Sequence, residues 1–321
     1  MADTLNAFVH TLKFEAEGIL SIDLRPTAGG DFPPFEAGAH IDLHLPGGIV
    51  RSYSLLNDCQ ERHRYVVAVL KDKASRGGSR AVHEQLRIAM PLTLSAPRNH
   101  FALLEDAAHT VLVAGGIGVT PLLSMAQRLK KLGRSFEVVY CARSRRSAAF
   151  VSEMAALTPH VHWHFDDEKG SPPDVQALLA ARPGAGADVT HYYACGPAVM
   201  LDAFERSCAA LGYTHAHIER FSAVEVAAAS DALQTYVVTL KRSDQTLTVL
   251  PGQSLLATLQ AAGIDCSTSC EEGICGSCET RVLEGLPDHR DSVLSPAEQA
   301  SHKVMMVCVS GCKSEHLVLD L

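Results

Sequence analysis

The sequence has no basic surplus, no apolar run long enough for a bilayer and no internal repeat, and its one low-complexity stretch is short and Ala-rich. Each absence excludes something. Lys and Arg number 28 against 36 Asp and Glu, for a formal charge of −8. Such a chain lacks the clustered cations that neutralise phosphates, so no nucleic-acid partner is expected, and a protein partner should tolerate or seek acidity. The most apolar stretch, Val111 to Leu123, is broken by Gly115, Gly116, Gly118 and Pro121 and is too short to span a membrane. The first thirty residues carry Asp3, Lys13, Glu15, Glu17 and Asp23 without an apolar core, so neither a secretory signal nor a mitochondrial-type presequence is read there. The expectation is a soluble, cytoplasmic protein with no membrane contact.

What is present is more specific. A chain of 321 residues, 47% hydrophobic, can bury the cores of two domains, or of three if each is compact. Its ten cysteines exceed what packing requires, and a reducing compartment argues against disulfides, so their spacing must decide their use.

Cys270, Cys275 and Cys278 follow C-x4-C-x2-C, and Cys308 comes after 29 intervening residues. This is plant-type ferredoxin spacing, in which four thiolates converge on two irons. Gly273, Gly276 and Ser277 let a tight loop wrap a cluster with its amides facing sulfur. A structural zinc site would favour two paired C-x2-C clips. Cys266 and Cys312 fall outside the ligand pattern and read as packing residues. Strands over Tyr236–Leu240 and 246–249 around Ser243-Asp244, then a helix over 254–262 ended by Gly263, give a β-grasp order.

In the middle of the chain, residues 109–124 read as buried strand, Gly-rich turn and helix opened by Thr120-Pro121. Gly115, Gly116 and Gly118 would let a dinucleotide pyrophosphate meet free amides and the positive end of the helix, although close packing of a strand on a helix also calls for glycine. A second strand over 136–141 ends in Arg143, Arg145 and Arg146, which can grip a ribose phosphate or form a solvated face. A third over 160–165 precedes Asp166 and Asp167, which would repel such a phosphate or simply form a turn. His160, His162 and His164 alternate on that strand and read as surface positions before metal ligands. The segment 191–200 repeats strand, turn and helix, with Cys195, Gly196 and Pro197 at the ligand-binding edge of the sheet.

Residues 1–103 alternate as short strands punctuated by Pro and Gly, the pattern of a small antiparallel β-barrel. Within it stands Arg51-Ser52-Tyr53-Ser54. Arg51 suits a flavin phosphate, Tyr53 offers a flat face, and Ser54 a hydroxyl for the isoalloxazine edge. Gly77, Gly78 and Ser79 supply amides at the start of a helix expected over 81–87.

The segments CEEGICGSCETRVLEG, DHRDSVLS and VCVSGC resemble the ferredoxin domain of the phthalate dioxygenase reductase family. GGIGVTP with CGP about 80 residues on resembles the nucleotide domain of the wider ferredoxin-NADP reductase superfamily, and RSYS its flavin motif. The resemblance spans the chain in three blocks. It implies FMN, because a C-terminal ferredoxin accompanies FMN in these relatives, together with NADH and a 2Fe-2S cluster. It places Cys195 near the nicotinamide and makes Phe221, after Ile218-Glu219-Arg220, the ring that covers the flavin; a core Phe closing a strand is the other reading. With Ser54, these form the catalytic set.

The expected organisation is multidomain: an FMN-binding antiparallel β-barrel over 1–103, an NAD-binding α/β domain over 104–222, a linker over 223–232, and an α+β β-grasp ferredoxin over 233–321. Nicotinamide gives two electrons as hydride and the cluster accepts one, so a flavin stands between them. The resemblance implies an NADH-dependent oxidoreductase serving a Rieske-type aromatic-ring dioxygenase or O-demethylase. The reductase of another monooxygenase system, and a redox-sensing regulatory protein, are the competing readings.

Overall fold

The structure, a computed structural model, describes residues 4–73, 75–182, 186, 189–222 and 235–321. It divides into two compact units, Ala2–Phe221 and Ser222–Leu321. The linker expected over 223–232 lies outside the described residues.

The first unit opens with six antiparallel strands: β1 (Thr4–Ala16), β2 (Ile19–Pro26), β3 (His40–Leu45), β4 (Ile49–Ser54), β5 (Tyr65–Leu70) and β6 (Pro91–Ser95), in the order β4-β3-β6-β1-β2-β5. Period-two alternation gives this sheet an apolar inner face: Ile41, Leu43 and Leu45 of β3 point inward with Val9, Ile22, Leu24, Val67 and Leu94. Helix α1 (Gly78–Gln85) lies against this sheet. It begins three residues before the position expected from sequence. Gly77, at φ 95°, takes a backbone turn that L side chains avoid, and Gly78 leaves room for the Arg51 side chain, whose Cγ would lie 2.5 Å from a Cβ there.

A parallel sheet follows, formed by β7 (His109–Gly115), β8 (Phe136–Ala142), β9 (Val161–Phe165), β10 (Thr190–Gly196) and β11 (Ala216–Arg220), in the order β11-β10-β7-β8-β9. Its strands read as near-continuous apolar runs because helices cover both faces. Helix α2 (Val119–Lys131) packs on one face through Leu122, Met125, Ala126 and Leu129. The helices α5 (Val175–Ala180) and α6 (Ala198–Leu211) cover the other through Leu179, Leu201 and Phe204. Between these come α3 (Val151–Leu157) and α4 (Asp166–Lys169). The chain order reverses between β7 and β10, so the turns after these two strands flank the switch point where such sheets take their ligands. Barrel and sheet share one core, with Ala16, Ile19, Leu56 and Val66 packed among the α2 residues. Ser124 of α2 donates to the carbonyl of Asn57 at 3.1 Å.

The second unit is a five-stranded mixed sheet in the order β13-β12-β18-β14-β16, built from β12 (Tyr236–Leu240), β13 (Gln245–Val249), β14 (Glu279–Glu284), β16 (Val304–Met306) and β18 (His316–Leu319). Helix α7 (Leu255–Ala261) crosses it, capped by Ser254, whose hydroxyl accepts from the Ala257 amide at 3.1 Å. A two-stranded ribbon of β15 (Pro287–Asp288) and β17 (Gly311–Cys312) and helix α8 (Pro296–Ser301) complete the unit. Among the described residues no helix is long and apolar enough to cross a membrane.

Candidate functional site

At the switch point two glycine turns interlock. A Cβ on Gly118 would overlap the carbonyl of Cys195 and approach the amide of Gly196 to 2.6 Å; one on Gly115 would meet Pro197 Cδ at 2.8 Å. These glycines therefore serve strand-on-helix packing, and Gly116 and Ile117, half-buried, bring the turn to the surface at the head of α2. Gly116 takes φ 54°, with open space where a side chain would stand. The Thr120 hydroxyl donates to the Ile117 carbonyl at 3.1 Å, tightening the turn. Helix α2 starts at Val119, so Thr120 and Pro121 lie within its first turn, where the missing proline N–H costs nothing.

Across from this edge, β4 presents the RSYS segment. Arg51 donates to the carbonyls of Val50 at 2.7 Å and Arg76 at 3.0 Å, which holds its guanidinium at the entrance to α1 beside Gly77 and Gly78. A cation beside helix-start amides fits a terminal phosphate. Tyr53 packs against the barrel core. The Ser52 hydroxyl turns the other way and donates to Asp42 at 2.6 Å, an acid paired with Arg98 at 2.8 Å. Its side chain is therefore engaged in the barrel. Ser79, the second residue of α1, accepts from the Asp72 amide at 3.1 Å.

Barrel and sheet meet at Ser54. Its buried hydroxyl donates to Glu219 Oε2 at 3.2 Å, and Glu219 sits in register opposite Cys195 on adjacent parallel strands. Desolvation pushes the Glu219 carboxyl up to about 8, against the pull of the Ser54 hydrogen bond. Burial, and then the neighbouring Glu219, raise the Cys195 thiol well above its ordinary value. Both shifts favour the protonated forms. Sequence reasoning passed over Glu219 as part of a domain end: within the mixed strand Ala216–Arg220 nothing local sets it apart, and only the pairing with β10 brings it to Ser54. Phe221, two residues beyond, is 40% exposed, the exposure of a surface ring and not of a core side chain closing β11.

The arginine loop after β8 is already committed in part. Arg145 donates to Glu168 at 2.7 Å and lies 4.6 Å over the Phe165 ring, whereas Arg143 is exposed. On β9, His164 is buried against the Ser171 carbonyl at 3.0 Å, so it is not a surface position.

In the second unit the four expected cysteines come together. Cys278 and Cys308 lie 3.1 Å apart between sulfurs, Cys308 also contacts Cys270, and Cys270 contacts Cys275. The loop between them takes left-handed conformations at Glu271, Gly273 and Gly276, and the Glu272 amide donates to Cys270 Sγ at 3.3 Å. Contact with Cys270, then burial, raises the Cys275 thiol: so many sulfurs cannot ionise together without a compensating cation. The four thiols converge within one loop and its partner strand end, the donor set that two irons with two thiolates each require. The residues fit a binuclear cluster. Cys266 and Cys312 pack against the apolar core of this unit.

This geometry defines a class of protein: an oxidoreductase with a dinucleotide edge set against a flavin-type barrel, in one chain with an iron-sulfur unit. Residues 112–206 match the family described as oxidoreductase NAD-binding domain, and residues 238–313 the family described as 2Fe-2S iron-sulfur cluster binding domain. The chain is 47% identical over 313 residues to the phenoxybenzoate dioxygenase subunit beta of Ectopseudomonas oleovorans, covering 98% of this chain and 96% of that one. It is 43% identical over 322 residues to a vanillate O-demethylase oxidoreductase of Pseudomonas sp. (strain HR199 / DSM 7063), covering 99% and 100%. Phthalate dioxygenase reductase, solved as a modular structure for electron transfer from pyridine nucleotides to [2Fe-2S], superposes with a TM-score of 0.71 at 36% identity, over 99% of this chain and 98% of that one. The chain belongs to the phthalate dioxygenase reductase family. An intact type IV self-sufficient cytochrome P450 monooxygenase also matches, with a TM-score of 0.91 at 40% identity; this chain spans 41% of its length. Membership carries a flavin, NADH and a 2Fe-2S cluster as cofactors.

Proposed function

We propose that the chain is the reductase component of a Rieske-type aromatic-ring dioxygenase or O-demethylase, oxidising NADH and delivering electrons singly to that partner in the cytoplasm. The observation that carries the reading is the meeting of Ser54, Cys195 and Glu219 where barrel and parallel sheet join. A flavin held at this junction would supply the exchange between two-electron hydride and single electrons.

The protein's own contribution is placement. The amides of Gly115, Gly116 and Gly118 with Thr120, Pro121, Gly196 and Pro197 hold the pyrophosphate, and exposed Arg143 reaches the adenosine half. Arg51, Gly77, Gly78 and the Ser79 amide hold the flavin phosphate, with Tyr53 and the backbone of Ser52 along the ring; the C-terminal place of the ferredoxin unit supports FMN as the flavin. Cys195 packs as a neutral thiol beside the nicotinamide. Ser54 orients the isoalloxazine edge, and Glu219, which sequence reasoning omitted, keeps a proton within reach of the Ser54 hydroxyl. Phe221, exposed at the end of β11, would cover the ring. Cys270, Cys275, Cys278 and Cys308 hold the cluster. The domain limits that serve this relay are 1–103, 104–222 and 233–321.

The test is an anaerobic NADH titration of the purified protein followed by absorption, with the released flavin identified by chromatography. A colourless protein without iron or acid-labile sulfide after reconstitution ends the reading. A second reading, the reductase of a haem monooxygenase, is favoured by the similarity to the P450 chain. Coupled turnover with a Rieske oxygenase and with a P450 separates the two.

A further inference from the structure

Behind the cysteine loop, four buried polar atoms close no hydrogen bond: His289 Nδ1 and Nε2, Asp291 Oδ1 and His302 Nδ1. Unsatisfied groups gathered in one place call for a cause. The Asp291 side chain is fully buried and that of His289 is 6% exposed, with Nδ1 and Oδ1 3.7 Å apart. The other carboxylate oxygen, Oδ2, accepts from the amides of Val293 at 3.2 Å and Leu294 at 2.8 Å. His302, in the left-handed region at φ 52° where α8 ends, stacks on His289 with ring centres 5.8 Å apart.

This cluster abuts the metal loop directly. The Ser292 amide donates to the Gly273 carbonyl at 2.9 Å, and a Cβ on Gly273 would lie 3.1 Å from Asp291 Cα. Gly273 stands midway between Cys270 and Cys275. The charges around His289 leave it one counter-ion. Arg290 donates to Asp288 at 2.7 Å and Lys313 lies 3.7 Å from the same acid, so on its own segment Asp291 faces it as the acid not paired to a cation. From α8 it meets His302 and the backbone of Gln299.

We propose that His289, seated between Asp291 and His302, takes up a proton when the neighbouring 2Fe-2S cluster takes up an electron, which ties the cluster's potential to pH. The inference rests on the cluster reading above. Reduction adds one negative charge beside a buried carboxylate, and one proton from solvent, bound at a ring nitrogen of His289, balances it; reoxidation returns the proton. Burial holds the imidazole below its ordinary pKa, more than Asp291 raises it, so it is neutral near pH 7 before the electron arrives. Between the oxidised-state and reduced-state pKa values the potential falls as pH rises, and outside that window it is flat.

The experiment is an EPR-monitored redox titration of the full-length holoprotein from pH 5.5 to 8.5. The expected result is a slope approaching about 59 mV for each tenfold fall in proton activity, flattened in H289Q or, should that chain not retain iron, in H302Q. A wild-type potential independent of pH overturns the proposal, as does an unaltered slope in the variant that retains iron. Absence of any reduced-cluster signal overturns the cluster reading instead, and this inference with it.

Discussion

Replacing Gly118 by Ala tests the interlocked turns most directly. The added Cβ would overlap the Cys195 carbonyl and stand 2.6 Å from the Gly196 amide, where ordinary contact begins near 3.4 Å. Both are backbone atoms, so no side chain can swing aside, and one of the two turns must retreat by roughly 1 Å, a strain of about 1–3 kcal/mol. Cys195 is in register with Glu219, which transmits the retreat to the Ser54 contact. A misplacement of about 1 Å at a hydride-transfer site costs on the order of 100-fold in rate. Stopped-flow reduction of the flavin by NADH should therefore slow by about two orders of magnitude, while chemical reduction still produces the cluster's EPR signal and flavin content is unchanged. A folded G118A protein whose flavin is reduced within about threefold of the wild-type rate would refute the reasoning.

Three further outcomes follow from the same geometry. Cys275→Ser should abolish NADH-driven cytochrome c reduction through the cluster while leaving hydride reduction of the flavin intact, read by rapid-mixing absorbance. Arg51→Ala should lower flavin retention on dialysis by about tenfold or more, the loss of one charge-assisted phosphate contact of about 1.5–3 kcal/mol. Glu219→Gln should alter two pH profiles. The folded carboxyl titrates near 8, above an unfolded value of about 4.3, so the native state binds the extra proton and wild-type stability declines as pH rises between the two. Thermal melts of the glutamine variant should lose that decline, and its flavin-reduction rate should lose any inflection near pH 8; an unchanged melt profile would remove Glu219 from the buried junction.

Local chemistry was legible in the sequence wherever one short segment carries it. The C-x4-C-x2-C loop must wrap small residues around its ligands, so its spacing alone reports the cluster. The turn at 115–118 and the strand–turn–helix at 190–198 are likewise complete within a few residues, because period-two burial and glycine punctuation are local signals. Helix starts were less secure: α1 opens at Gly78 because Arg51, far away in sequence, fills the space a side chain would need.

The sequence by itself therefore determined the three kinds of module, the C-x4-C-x2-C loop and the two glycine turns, since each depends on residues near one another along the chain. Only the tertiary structure decided that Ser54 reaches Glu219 across 165 positions, that the Ser52 hydroxyl is spent on Asp42, and that His289, Asp291 and His302 gather behind Gly273. These are consequences of strand register and of burial. A carboxyl is pushed upward, and an imidazole downward, only once folding has taken water away from it.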